Sequence, residues 1–125
     1  MPATLTVRDE TSGGDVVGTR TLDFPAEQIT VRELITRRVK EEAAEYDRAR
    51  TRPFRGLVHP ARGGPADQGG EVDWERQRDA ALAAFAANGF FILVGDRQVE
   101  SLDETIRLEL DTEVSFVRLV PLVGG

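Results

Sequence analysis

The sequence predicts an α+β fold, a mixed sheet of four to five strands with a packed helix, from three features of its apolar pattern. Apolar residues alternate with polar ones near the start, switch to a helical period over residues 30–48, and return to strand-like runs at 90–94 and 113–120. A loop and a second helix, within residues 49–89, stand as an insertion between the first helix and the later strands.

Each element has its own local cause. In residues 4–10, Leu5 and Val7 alternate with polar partners, the pattern of a half-buried strand. Thr11-Ser12-Gly13-Gly14-Asp15 is a turn cluster, and the β-branched stretch 16–24 completes an N-terminal hairpin. Pro25 closes the second strand. Thr30 and Glu33 then form a capping box that starts a helix reaching to about residue 48. Val31, Leu34, Ile35, Val39, Ala43 and Tyr46 make its apolar stripe. Arg32, Arg37, Lys40, Glu41, Glu45 and Asp47 lie opposite, a solvated face to which no chemistry is assigned.

Residues 49–71 hold three of the six prolines and five of the twelve glycines, so a mobile loop is expected there. Phe54, Leu57 and Val58 form a small apolar island within it, and His59, the single histidine, reads as a surface residue. Asp73 caps a second helix over 73–88, with Trp74, Ala81, Leu82 and Phe85 as its stripe and Asn88-Gly89 as a left-handed stop. Phe90 to Val94 is a continuous apolar strand, Gly95-Asp96 turns the chain, and Gln98 to Ser101 returns. Leu102, Ile106, Leu108 and Leu110 sit in a polar-interrupted connection to the last strand, Glu113 to Val120.

Composition narrows the function. The chain has 125 residues, 13.8 kDa, a net charge of −6 and 40% hydrophobic residues. These fit one domain, residues 1–120, followed by a tail, 121–125. The absence of Cys excludes disulfides, thiolate metal sites and a thiol nucleophile from this chain. Acidity argues against a nucleic-acid partner, and no stretch approaches the roughly 18 apolar residues of a membrane span. A soluble, cytoplasmic protein is expected. Lys40 is the only lysine.

Two strands, a helical crossover, a short strand pair and a final strand is a β-grasp order, in which first and last strands can lie parallel. Ile92-Leu93-Val94-Gly95-Asp96-Arg97-Gln98-Val99-Glu100, Ser101 to Ile106, Glu113 to Val120 and the terminal Gly124-Gly125 resemble the C-terminal half of ubiquitin. They resemble equally the small sulfur carriers of molybdopterin and thiamine synthesis, whose last strand follows a turn of the Asp111 to Phe116 type. About 80 to 85 residues are covered. Gly makes up 12 of the 125 residues, so a chance diglycine at the last two positions arises roughly once in a hundred.

The resemblance implies a protein modifier that is not itself an enzyme and binds no cofactor. A partner activating enzyme would use ATP and magnesium to adenylate Gly125, with Gly124 and Gly125 entering its narrow channel because they lack Cβ. Pro121 ends sheet pairing, and Pro121, Leu122 and Val123 dock the tail; residues 120–125, fully extended, reach at most about 20 Å. A conjugating enzyme, a deconjugating protease and target proteins are the further partners implied. Alignment on Gly95 places Ile92, with Val117 and Leu119, on a partner-binding sheet face, with burial in the core as the alternative. Lys40 is the one side chain open to chain linkage, which implies single modification or short chains. The alternatives are a sulfur carrier bearing a thiocarboxylate on Gly125, and an unconjugated β-grasp interaction module.

Overall fold

The structure is a computed structural model that describes residues 2–49 and 73–119. β1 (Ala3–Thr11) and β2 (Val16–Phe24) form the N-terminal hairpin, antiparallel from Ala3–Phe24 to Glu10–Val16 with a bulge between Asp9 and Glu10. Its turn is closed by Thr11 N donating to Asp15 O at 2.9 Å and Gly14 N donating to Thr11 O at 2.9 Å. Gly14 sits at φ +94°, where a side chain would be strained.

β3 (Gln28–Thr30) leads directly into α1 (Val31–Ala49), and α2 (Trp74–Ala86), β4 (Phe90–Val94), β5 (Arg97–Val99), β6 (Thr105–Arg107) and β7 (Val114–Arg118) follow. The main sheet has the order β2-β1-β7-β4-β5. β7 runs parallel to β1 over Val7–Val114 to Thr11–Arg118, and every other pairing in the sheet is antiparallel. The chain therefore carries an α+β fold with a mixed five-stranded sheet and, among the described residues, two helices.

The capping box at the start of α1 is formed. Glu33 N donates to Thr30 Oγ1 at 3.1 Å, and Thr30 N donates back to Glu33 Oε2 at 3.3 Å. Asp73 caps α2 by accepting from Arg76 N at 3.1 Å. α2 ends as Asn88 turns left-handed at φ 62°, while Gly89 N reaches back to Ala84 O at 2.7 Å. A Cβ on Gly89 would meet that carbonyl at 3.2 Å, a tight contact that the neighbouring turn would have to relieve by a few tenths of an ångström.

Two short strands lie outside the sequence pattern. β3 and β6 pair as a separate two-stranded ladder with Ile29 opposite Ile106, both buried. The 102–108 connection is therefore structured rather than a plain link. It also anchors α1, because Val31 N and Arg32 N, two of the helix's four unpaired amides, donate to Glu104 O and Leu102 O at 2.9 and 3.0 Å.

One face of the sheet packs on the helices. Leu5, Val7, Leu22 and Phe24 from the hairpin meet Leu34, Ile35 and Val39 of α1, and Ala81 and Phe85 of α2 close over Phe90 and Phe116. Phe90 is the aromatic centre, tilted against Phe85 at 5.8 Å and stacked on Phe116 at 6.1 Å. The expected mobile loop lies almost wholly outside the described residues, as does the tail, Pro121, Leu122, Val123, Gly124 and Gly125.

Candidate partner-binding surface

The opposite face of the sheet is left uncovered by either helix among the described residues, and strand register fixes what it shows. Side chains alternate faces along a strand, so with Val7, Phe116, Ile92 and Val99 in the core, their neighbours point outward. Two rows result. One runs Thr19-Arg8-Ser115-Leu93-Gln98 across the five strands; the next runs Val16-Glu10-Val117-Phe91 across four of them. Phe91, Leu93 and Val117 are half-buried, Ser115 between Arg8 and Leu93 is buried at 7%, Val16 is exposed, and Leu119, one residue past β7, is 48% exposed. An apolar patch on β4 and β7 thus lies beside Glu10 and Arg8 of β1.

The structure corrects one predicted site residue. Ile92 is 0% exposed and belongs to the core, so it does not present a surface to a partner. The turn explains the shift: Gly95, at φ +62°, takes the first of two central positions, and Val94 pairs with Arg97. Leu93 then stands opposite Gln98 and Ile92 opposite Val99. Polar Gln98 marks the solvent side and apolar Val99 the core side, which assigns Leu93, not Ile92, to the outer face. Val117 does lie there, and Leu119, one residue past the end of β7, is exposed. Phe91 and Leu93 escape a reading of β4 alone, because five consecutive apolar residues carry no alternation; the polarity of β5 is the signal that resolves them.

Lys40 is exposed on α1, with its ammonium 5.2 Å from the Trp74 ring centroid, and Arg78 stands 5.3 Å from the same ring. Trp74 thereby joins the two helices near the one lysine.

A second cluster of functional groups lies on the inner face. Arg38 is 0% exposed; it donates to Asp9 Oδ2 at 2.6 Å and pairs with Glu42, and its guanidinium lies 4.8 Å from the Phe116 ring centroid. Arg20 of β2 completes the group from the solvent side, 3.7 Å from Asp9, 4.0 Å from Glu42 and 3.4 Å from Glu45. The sequence holds a signal for this cluster. Arg38 and Glu42 are four apart on the stripe of Leu34, Ile35 and Val39, and Asp9 is in phase with Leu5 and Val7. Each carboxylate is neutralised by a guanidinium, and the arrangement ties α1 to both hairpin strands. No group of His, Asp and Glu among the described residues has the makings of a metal site.

At the other end of the outer face a shallow groove of about 420 Å³ lies between Thr4, Thr6, Arg8 and Thr19 and the segment Leu110 to Glu113. That segment is a hydrogen-bonded turn: Glu109 N donates to Thr112 Oγ1 at 2.8 Å, and Thr112 N to Glu109 O at 3.1 Å. Leu110, at its tip, is fully exposed, and Arg8 bridges to Glu113 at 2.7 Å.

No helix among the described residues is long and apolar enough to cross a membrane. No protein-family model, no curated protein and no solved structure matches the chain.

Proposed function

We propose that this chain is a ubiquitin-like β-grasp modifier whose Gly125 carboxylate is adenylated by an activating enzyme and transferred to a target amine. The observation that carries this is a juxtaposition. β7 lies at the centre of the mixed sheet, parallel to β1, with Val117 in the apolar patch of Phe91 and Leu93, and exposed Leu119 follows one residue after its end. The sequence runs from that residue through Val120, Pro121, Leu122 and Val123 to Gly124-Gly125. A partner seated on the outer face would lie near Leu119, from which the sequence runs on to the diglycine.

The chemistry divides between two proteins. A carboxylate is a poor acyl donor, since its negative charge repels nucleophiles and oxide is a poor leaving group. In the activating enzyme, a Gly125 oxygen attacks the α-phosphate of ATP and pyrophosphate departs, leaving an acyl adenylate. An enzyme thiol then displaces AMP, and a target amine displaces the thiol to form an amide. Magnesium and ATP belong to that enzyme. This chain supplies the acyl group, two residues slim enough to enter a narrow channel, and a docking face held rigid by the core.

The apolar residues Pro121, Leu122 and Val123 favour a second form of the same activation, in which sulfide takes the acyl group and leaves a thiocarboxylate on Gly125. The two share the adenylate and differ in the acceptor.

The test is an N-terminally tagged chain in its native host, lysed under denaturing conditions and blotted beside a Gly125 deletion and a Leu93→Asp variant. Slower covalent species, lost in both variants, support the proposal. A single band at the unmodified position in every growth state would refute the modifier. Covalent species that persist in the Leu93 variant would remove the outer face from the mechanism.

A further inference from the structure

The outer face is complementary to itself. Its two central rows present Arg8, Ser115 and Leu93 in one and Glu10, Val117 and Phe91 in the other, on the same three strands. A two-fold axis lying across the strands between these rows exchanges them while keeping each strand over its own copy. Glu10 then meets Arg8 of the second copy, Arg8 meets Glu10, Phe91 and Leu93 meet one another twice, and Val117 lies over Ser115.

We propose that this face is a homodimer interface in which two sheets pack outer face to outer face in this register. Three physical points favour a second copy as the occupant. An isologous contact repeats each favourable pair, so one Arg8–Glu10 match becomes two. The opposite charges sit on one strand at a spacing of two residues, the arrangement a two-fold needs and a surface selected only for solubility does not. Twisted sheets also pack face to face in near-aligned orientation, which keeps the central rows opposed. Arg8 already holds Glu113, but both are solvent-facing, so that pair contributes little and does not bind the guanidinium to one partner. The dimer stands on strand register alone and does not depend on the fate of Gly125. A partner that docks on Leu93 and Val117 would have to displace the second copy, which makes self-association a brake on docking.

The test is sedimentation equilibrium of the full chain from micromolar to millimolar concentration. The expected result is a mass rising with concentration from 13.8 kDa towards twice that value. Glu10→Arg alone should stay monomeric through that range, because it sets Arg against Arg in both pairs. Arg8→Glu combined with Glu113→Gln, which spares the fold a new carboxylate pair, should stay monomeric as well. Mixing the two variants should restore the dimer, since every opposed pair is again of opposite sign; that restoration also establishes that both variants are folded. A monomer at all concentrations overturns the proposal. A dimer unaffected by Glu10→Arg, or variants that fail to recover on mixing, would equally overturn this interface.

Discussion

Replacing Arg38 with Met removes a cation from the interior while keeping most of the side-chain volume. In the native fold the guanidinium is wholly buried, bonded to Asp9 at 2.6 Å and to Glu42, and packed over Phe116. Without it, two carboxylates that are each 8% exposed lose their principal partner. Arg20 remains, but at 3.7 and 4.0 Å and nearer to water. Removing one member of a buried ion pair costs about 3–5 kcal/mol, because the charges left behind stay desolvated. Against a total stability of about 5–15 kcal/mol for a domain, that is a large fraction. Urea unfolding followed by circular dichroism should show a lower midpoint with an unchanged slope. The companion variant Asp9→Asn, Arg38→Met, Glu42→Gln should regain at least half of the loss, since no uncompensated charge remains. A single variant within about 1 kcal/mol of wild type would refute the reasoning, since the remaining partners, Arg20 among them, would then suffice to compensate both carboxylates. A triple variant no better than the single one would show that Arg38 acts through packing alone.

Other substitutions probe local causes. Ile92→Ala should cost about 2–5 kcal/mol as a fully buried truncation, and Leu93→Ala less than half as much; equal losses by urea titration would reverse the assignment of faces. Asn88→Val should cost about 1–2 kcal/mol because a β-branched residue resists the left-handed conformation, whereas Asn88→Gly should be neutral or slightly stabilising in the same assay. Thr30→Ala removes the capping hydroxyl that accepts from Glu33 N and should cost about 1 kcal/mol, a fall of a few degrees in Tm; no change would mean that the 102–108 connection alone anchors the helix start.

Much of this fold is legible in the sequence because local and global signals agree. The hairpin appears in the alternation around Leu5 and Val7, and both helix starts appear in their caps at Thr30 and Asp73. β4 and β5 appear because Gly95-Asp96 separates them. β3 and β6 do not, since each is three residues with one inward isoleucine, too short for a period to show. The facing of β4 fails for another reason. β4 carries apolar residues on both faces although neither helix covers the outer one, so Ile92 and Leu93 differ only through their partners on β5. Arg38 and Glu42 are easily taken for surface residues because charge ordinarily marks solvent, and only their position on the apolar stripe contradicts that. The diglycine is visible in the sequence and lies outside the described residues.

The fate of Gly125 tests the central claim most directly. Protein purified under denaturing conditions from its native host should be digested and its terminal peptide measured by mass spectrometry. The account predicts Gly125 joined by an amide bond to a lysine or N-terminal amine of another protein, with self-linkage confined to Lys40 or Met1. A terminal thiocarboxylate would replace the modifier with a sulfur carrier. A free carboxylate on every copy, in every growth condition, would contradict both and favour the reading of an unconjugated interaction module.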